Sequence, residues 1–289
     1  MNGATNSQPR SAVLHSTAKY YDLLAFALTL GRERALRERI VDLARLAPGE
    51  VVLDVGCGTG SLAIAAKRRV GDTGEVHGID AAPEMIAQAT RKAAKAELSI
   101  AFQPGRAEAL PFPDAHFDVV CSTLMLHHLP ALVRQSLGEE IQRVLKPGGR
   151  VIAVDFEPPK KKKGGLISRL HRHGHVPLAA IIELLQRTGH WVVESGSVGI
   201  SDLQFAIARR PQPGESQPTH AHRSLAPLPA PRWILPAVIV VLIAAHGVLF
   251  HIASSAWTLP TIAVLVVAAL LIVKLGIAHL ASRHARSRG

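Results

Sequence analysis

The stretch Val51-Val52-Leu53-Asp54-Val55-Gly56-Cys57-Gly58-Thr59-Gly60-Ser61 constrains the fold of this chain more than any other. An apolar run breaks off into three glycines and passes into Leu62-Ala63-Ile64-Ala65-Ala66-Lys67, the pattern of a buried strand, a tight turn and a helix. Such a unit opens a Rossmann-like sheet. Gly56 and Gly58 admit backbone angles closed to other residues and let a ligand lie against the main chain, so the turn suits the floor of a nucleoside-cofactor site. Spacing then discriminates among cofactors. A dinucleotide fingerprint is Gly-x-Gly-x-x-Gly, whereas here Gly60 comes one residue early and Asp54 stands two residues before the first glycine. Farther on, Glu75-Val76-His77-Gly78-Ile79-Asp80 forms a second short strand ending in a carboxylate placed to accept both hydroxyls of a ribose. Asp54 and Asp80 together suit a cofactor carrying positive charge better than a pyrophosphate.

Five segments follow one another in an order that resembles a known family. They are Asp54 to Gly60 with Asp80, then Ala109-Leu110-Pro111-Phe112, Phe117-Asp118-Val119-Val120 and Leu145-Lys146-Pro147-Gly148-Gly149. This is the motif series of the class I S-adenosylmethionine-dependent methyltransferases, and within them the chain is most similar to the ubiquinone/menaquinone C-methyltransferase-like (methyltransferase type 11) group. The resemblance covers roughly Tyr20 to Arg209. It implies an α/β, Rossmann-like, seven-stranded and mostly parallel sheet with a terminal antiparallel hairpin, and S-adenosylmethionine as cofactor. It further assigns cofactor contacts to Asp54, Gly56, Gly58, Thr59, Asp80 and Ala81, with Met85 on the apolar side of an adenine slot and Thr123 at the end of the fourth strand. Tyr21 matches a Tyr-Asp pair that in the family often reaches the cofactor's amino-acid end; on spacing alone Tyr20 and Tyr21 are equally core-edge aromatics. Arg106 stands where the family commonly has an acidic or amide residue for the adenine amino group, and a guanidinium cannot accept that bond, leaving the Ala107 amide and apolar contacts to recognise the base.

Elements are expected over Ala35 to Leu46 (helix), Leu98 to Phe102 (third strand), Ala131 to Leu145 (helix), Arg150 to Phe156 (fifth strand), Leu178 to Arg187 (helix), and Trp191 to Glu194 with Leu203 to Ala208 (hairpin). The connection after the fourth strand carries Thr123-Leu124-Met125-Leu126-His127-His128. In an open parallel sheet that position borders the ligand crevice, so His127 and His128 are the candidate catalytic bases. An imidazole near neutral pKa deprotonates a phenol or an enol, although one of an adjacent pair is as readily structural. Nucleic-acid amino methylation resembles a different pattern, an Asn or Asp and two prolines after the fourth strand, which Ser122-Thr123-Leu124-Met125 lacks. A pyrimidine-carbon mechanism needs a nucleophilic cysteine beside a proline, and Cys121 has none. The acceptor expected is a small lipophilic molecule, a quinone precursor, isoprenoid or lipid headgroup; the alternatives are a soluble metabolite or a non-catalytic cofactor-binding role.

Composition bears on location. The chain carries a formal charge of +11, with 48% hydrophobic but only 4% aromatic residues, which suits a parallel sheet and membrane helices and implies anionic partners. Its two cysteines, Cys57 and Cys121, form no disulfide framework and have no partner at metal-ligand spacing, and His171-Arg172-His173-Gly174-His175 lacks acidic or thiol company, so no metal site is expected. Residues 1–17 form a polar tail without a signal-peptide core, 18–210 the methyltransferase domain, and 211–231 a proline-rich linker. Lys160 to Lys163, beside Leu166, Ile167 and Leu170, suit a solvated loop or a membrane-surface segment. In 232–282, residues 233–250 carry no formal charge and 259–281 carry only Lys274, so both approach the ~20 residues that span a bilayer. Basic residues flank this hairpin outside, including the tail 283–289, and none lies in its connection, which places both termini and the catalytic domain in the cytoplasm.

Overall fold

The computed structural model describes residues 32–158, 175–200 and 202–228. The chain divides into two compact units, Met1–Pro227 and Leu228–Gly289, and the described helices and strands all lie in the first. Tyr21, the Lys160 to Lys163 run, His171, His173 and the two stretches expected to span a membrane lie outside the described residues. Among the described residues no helix is long and apolar enough to cross a membrane.

Helix α1 (Glu33–Leu43) precedes strand β1 (Val51–Val55), α2 (Ser61–Val70), β2 (Glu75–Asp80), α3 (Pro83–Lys95) and β3 (Ala101–Pro104). Then come β4 (Phe117–Thr123), a 3-10 turn (Leu126–His128), α4 (Ala131–Val144), β5 (Leu145–Phe156), α5 (Leu178–Arg187), β6 (Trp191–Ser197), β7 (Leu203–Arg209) and β8 (Ala221–His222). The strands form one sheet in the order β3-β2-β1-β4-β5-β7-β6-β8. From β3 through β5 all neighbours are parallel, and β7 runs antiparallel to both β5 and β6. Strand order reverses between β1 and β4, and in open α/β sheets the crevice outside the carboxyl ends at such a reversal is where ligands bind. The core lies along these central strands, where Val52, Leu53, Phe117, Val119, Val120, Val151 and Val154 are fully buried. Near-continuous burial on β1 and β4 explains why these segments are apolar at almost every position rather than at alternate ones.

The structure corrects several expected boundaries. Helix α1 ends at Leu43 rather than Leu46, because Arg45 turns to φ +52° and the amide of Leu46 closes back on the Val41 carbonyl at 3.3 Å. Strand β3 begins at Ala101 rather than Leu98 for the same reason: Glu97 takes φ +56° and the Leu98 amide is spent on Ala93 O at 3.0 Å, capping α3. Helix α4 passes directly into β5 at Leu145, and Pro147-Gly148-Gly149 becomes a bulge inside that strand, between the pairs Phe117–Leu145 and Val119–Arg150. The seven expected strands are joined by an eighth. An open β6 edge would leave ladder groups unpaired, and part of the expected linker covers it: Arg223 N donates to Ser195 O at 2.7 Å and Leu225 N to Ser197 O at 2.9 Å. Gly196 makes room for that approach, since a Cβ there would lie 1.7 Å from the Arg223 carbonyl oxygen.

Candidate active site

The glycine turn after β1 is tied to the end of β2 by its own backbone. Gly56 N and Cys57 N both donate to Ile79 O, at 2.8 and 2.9 Å. Gly58 N donates to Asp80 Oδ2 and Ala82 N to Asp80 Oδ1, each at 2.9 Å. Asp80 therefore shapes the turn as well as offering its remaining lone pairs to a ribose. Gly56 and Gly58 adopt φ +71° and +52°. A Cβ on Gly56 would stand 2.5 Å from Met125 Cγ, so this position is closed to side chains by packing as well as by backbone angle.

Asp54 ends up 2% exposed, and among the described residues neither carboxylate oxygen meets a hydrogen-bond donor in good geometry. Burial pushes its pKa up to about 7, with the Arg37 guanidinium opposing the rise, the Asp80 charge adding to it and the Ala63 backbone amide opposing it. A buried, unpartnered carboxylate is costly unless a donor or cation meets it. Asp54, Arg37, Gly56, Gly58, Thr59, Thr123 and Leu124 line one small pocket, which gives that carboxylate a place to meet a ligand. Arg37 comes from α1 and was not singled out in the sequence, where it is one arginine among several on an amphipathic helix.

Other expected contacts sit as follows. Met85 is buried on the first turn of α3, and Ala81 is exposed just after Asp80. The loop of Arg106 is anchored through Gly105 N to Asp80 O at 3.1 Å, but the Arg106 guanidinium is exposed and pairs with Glu108. The side chain at this position is thus engaged elsewhere, while Ala107 packs against the core. Thr123, the last residue of β4, is buried in the pocket wall. Leu124 follows at φ +56°, a conformation that costs a non-glycine residue about 1–3 kcal/mol and that redirects the chain toward the histidines.

The structure separates the two histidines. His127 has a side chain only 3% exposed, and its Nδ1 lies 2.7 Å from Oδ1 of the fully buried Asp155 at the end of β5. Asp155 Oδ2 accepts the His127 backbone amide at 3.1 Å, so one carboxylate holds both ring and main chain. With Nδ1–H donating to Asp155, the lone pair resides on Nε2, the tautomer a general base requires. His128 is exposed, its ring centroid 3.9 Å from that of His127. Asp155 was not a sequence candidate: it sits in an apolar strand with no motif around it, and only the pairing of β4 with β5 brings it beneath the loop.

A family model described as "Methyltransferase domain" matches residues 52–149. The demethylmenaquinone methyltransferase of Thermus thermophilus is 42% identical over 154 residues, which cover 53% of this chain and 69% of that protein. The chain belongs to the S-adenosylmethionine-dependent methyltransferases. The ubiquinone/menaquinone biosynthesis C-methyltransferase UbiE of Shewanella frigidimarina is 33% identical over 150 residues, 51% of this chain and 59% of that relative. The chain thus spans about two thirds or less of the length of these relatives. In fold it is similar to a crystal structure of a SAM dependent methyltransferase from Aquifex aeolicus, with a TM-score of 0.55 and 23% identity over 67% of this chain and 97% of that one. S-adenosylmethionine is the cofactor expected of this methyltransferase, and the site's chemistry fits it. The orphaned Asp54 carboxylate suits a cationic amino-acid end, the Gly56–Gly60 turn offers backbone for close approach, and Asp80 keeps acceptor capacity for the ribose.

Proposed function

We propose that this methyltransferase methylates a lipophilic, weakly acidic acceptor of the phenol or quinol type, with His127 as the base and the C-terminal stretches 233–250 and 259–281 tethering it to a membrane. The observation that carries the reading is the buried pair of His127, on the loop after β4, and Asp155, on β5, next to the Thr123 and Leu124 that line the cofactor pocket. When bound, S-adenosylmethionine supplies a methyl group on a sulfonium, whose sulfur keeps the bonding electron pair as the methyl leaves. Because that methyl is already activated, what the protein must add is a near-contact arrangement and a sink for the acceptor's proton. His127 Nε2 takes the proton, and Asp155 holds the ring and balances the imidazolium that forms. Asp54 would hold the cofactor's amino-acid end and Asp80 its ribose, and Thr123 and Leu124 close one wall of the pocket. The names of the quinone-pathway relatives support an acceptor of this class, and the nearly uncharged C-terminal stretches support delivery from a bilayer.

The test uses the full chain in membranes, methyl-labelled S-adenosylmethionine and a reduced isoprenoid naphthoquinone lacking its ring methyl. Label is expected in the organic phase, and His127→Ala is expected to abolish the transfer while cofactor binding persists. Label confined to small water-soluble products would overturn the substrate class, and undiminished transfer by His127→Ala would overturn the base.

A further inference from the structure

Away from the cofactor cleft, Glu75 and His77 on β2 and His116 just before β4 bring one ligand atom each within 4.8 Å of one another. Glu75 and His77 are two residues apart on one strand and so share a face of the sheet. His116 is the residue before β4, two strands away from β2 in the sheet, and its ring reaches across the β1 position to them. The His77 Nε2 to Glu75 Oε2 separation is 3.6 Å, too long for a strong hydrogen bond. Two ligands on one tetrahedral zinc ion, at about 2.0–2.1 Å from the metal, lie roughly 3.3 Å from each other.

The rings are held by their neighbours. His77 packs edge-on to Phe112 and Phe117, both at 5.5 Å, and His116 packs edge-on to Phe117 at 4.7 Å. The aromatic cluster fixes the direction of both imidazoles, while Glu75, with a side chain 66% exposed, is free to swing in as third ligand. With the three ligand atoms within 4.8 Å of one another, a small closing movement completes the set.

We propose that Glu75, His77 and His116 form a binding site for a divalent transition-metal ion of the zinc type, separate from catalysis. Two imidazoles and a carboxylate suit zinc, cobalt or nickel far better than magnesium or calcium, which want oxygen ligands throughout. A fourth position stays open to water. The ion would clip the amino-terminal half of β2 to the chain entering β4, on either side of the central strand β1. His77 lies three residues before Asp80, roughly 10 Å along the strand, so the metal stiffens β2 without touching the cofactor's ribose.

The experiment uses the untagged full chain, stripped with chelator, and titrates it with cobalt(II) followed by its visible absorption, then with zinc(II) by calorimetry and thermal melting. One ion per chain, a tetrahedral cobalt spectrum and a zinc-dependent rise in melting temperature are expected. His77→Gln and His116→Gln should each weaken binding at least as much as the roughly 10–100-fold that loss of an outer-shell partner costs, and should abolish the melting shift. His116→Gln lies outside the strands and keeps the test valid if His77→Gln folds poorly. A variant changed at His171, His173 and His175 should bind as the parent does. Parent-like binding in His116→Gln, loss of binding in the His171/His173/His175 variant, or no binding at micromolar metal would each overturn the site.

Discussion

Asp54 is a carboxylate whose ionisation the fold disfavours and a cationic cofactor would favour. Its carboxyl is pushed up to about 7 in the folded protein, chiefly by burial, from an ordinary carboxylate value of 3.8. In the cofactor-free protein the folded state therefore holds a proton that the unfolded chain releases. Stability must fall as pH rises from about 4 to about 7, by on the order of 1–4 kcal/mol, and level off above. Asp54→Asn removes that dependence, so the cofactor-free variant should melt higher than the parent near neutral pH and equally well near pH 4. Cofactor binding runs the other way. The cationic ligand prefers the ionised carboxylate, so calorimetric affinity in the parent should climb from about pH 6 to about pH 8, whereas the Asn variant should be weaker and flat. A parent affinity independent of pH across that range would show that Asp54 does not meet the cation. Sequence made Asp54, Gly56, Gly58 and Asp80 legible because strand, turn and helix are adjacent in the chain and the glycines mark the turn. Arg37 was not legible, since nothing in an amphipathic helix tells which of its arginines faces a carboxylate on the next strand.

At the scale of elements, the loop between β4 and α4 is held in place by the end of β5. Asp155 accepts from the His127 amide and ring, and its Oδ1 also takes the Phe156 amide at 2.7 Å. Asp155→Asn keeps one acceptor oxygen and the same shape, but its amide can donate to Nδ1 and drive the ring proton onto Nε2, where it blocks the base. Turnover in that variant is expected to fall by about 10²–10⁴-fold with cofactor affinity unchanged, the range assigned to general acid–base catalysis. Full turnover would leave Asp155 as a packing residue only. The two histidines were visible from their position after a central strand, yet nothing local distinguishes His127 from His128. Pairing with β5 decides it, burying one against a carboxylate and leaving the other exposed. Non-local pairing likewise explains the eighth strand. Residues 221–226 look like linker because their composition is that of a linker, and their extended form is set by the β6 edge and by Arg39, whose guanidinium donates to Val198 O and Ala226 O at 2.9 and 2.8 Å. The parallel core, in contrast, was readable strand by strand, because burial on both faces leaves an unbroken apolar run.

For the whole molecule, the proposed lipophilic acceptor has to reach a catalytic chain with a formal charge of +11. Residues 233–250 carry no formal charge and 259–281 only Lys274, and such stretches in water would expose a larger apolar surface than soluble proteins tolerate. If inserted as the proposed tether, they would satisfy their own backbone groups as helices and would set Trp233 and Trp257 near opposite interfaces. Arg223 and Arg232 precede the pair, Arg283, Arg286 and Arg288 follow it, and the connection 251–258 has neither Lys nor Arg, so under the proposed tether the positive-inside rule would put both ends in the cytoplasm. The four lysines from Lys160 to Lys163 would add about 1 kcal/mol each against an anionic leaflet, a contribution that salt screens. The full chain should therefore stay with membranes in carbonate and in high salt, while a chain cut after Pro227, where the first compact unit ends, should be released by salt. Orientation is tested by labelling single cysteines in intact spheroplasts with an impermeant reagent. Cys57 and Cys121 are both buried, which keeps the background low. Ser254→Cys is expected to label from outside and Ser287→Cys only after lysis; the reverse pattern would place the active site on the wrong side of the membrane for a cytoplasmic supply of S-adenosylmethionine, and release of the full chain by salt would show that the hairpin does not insert.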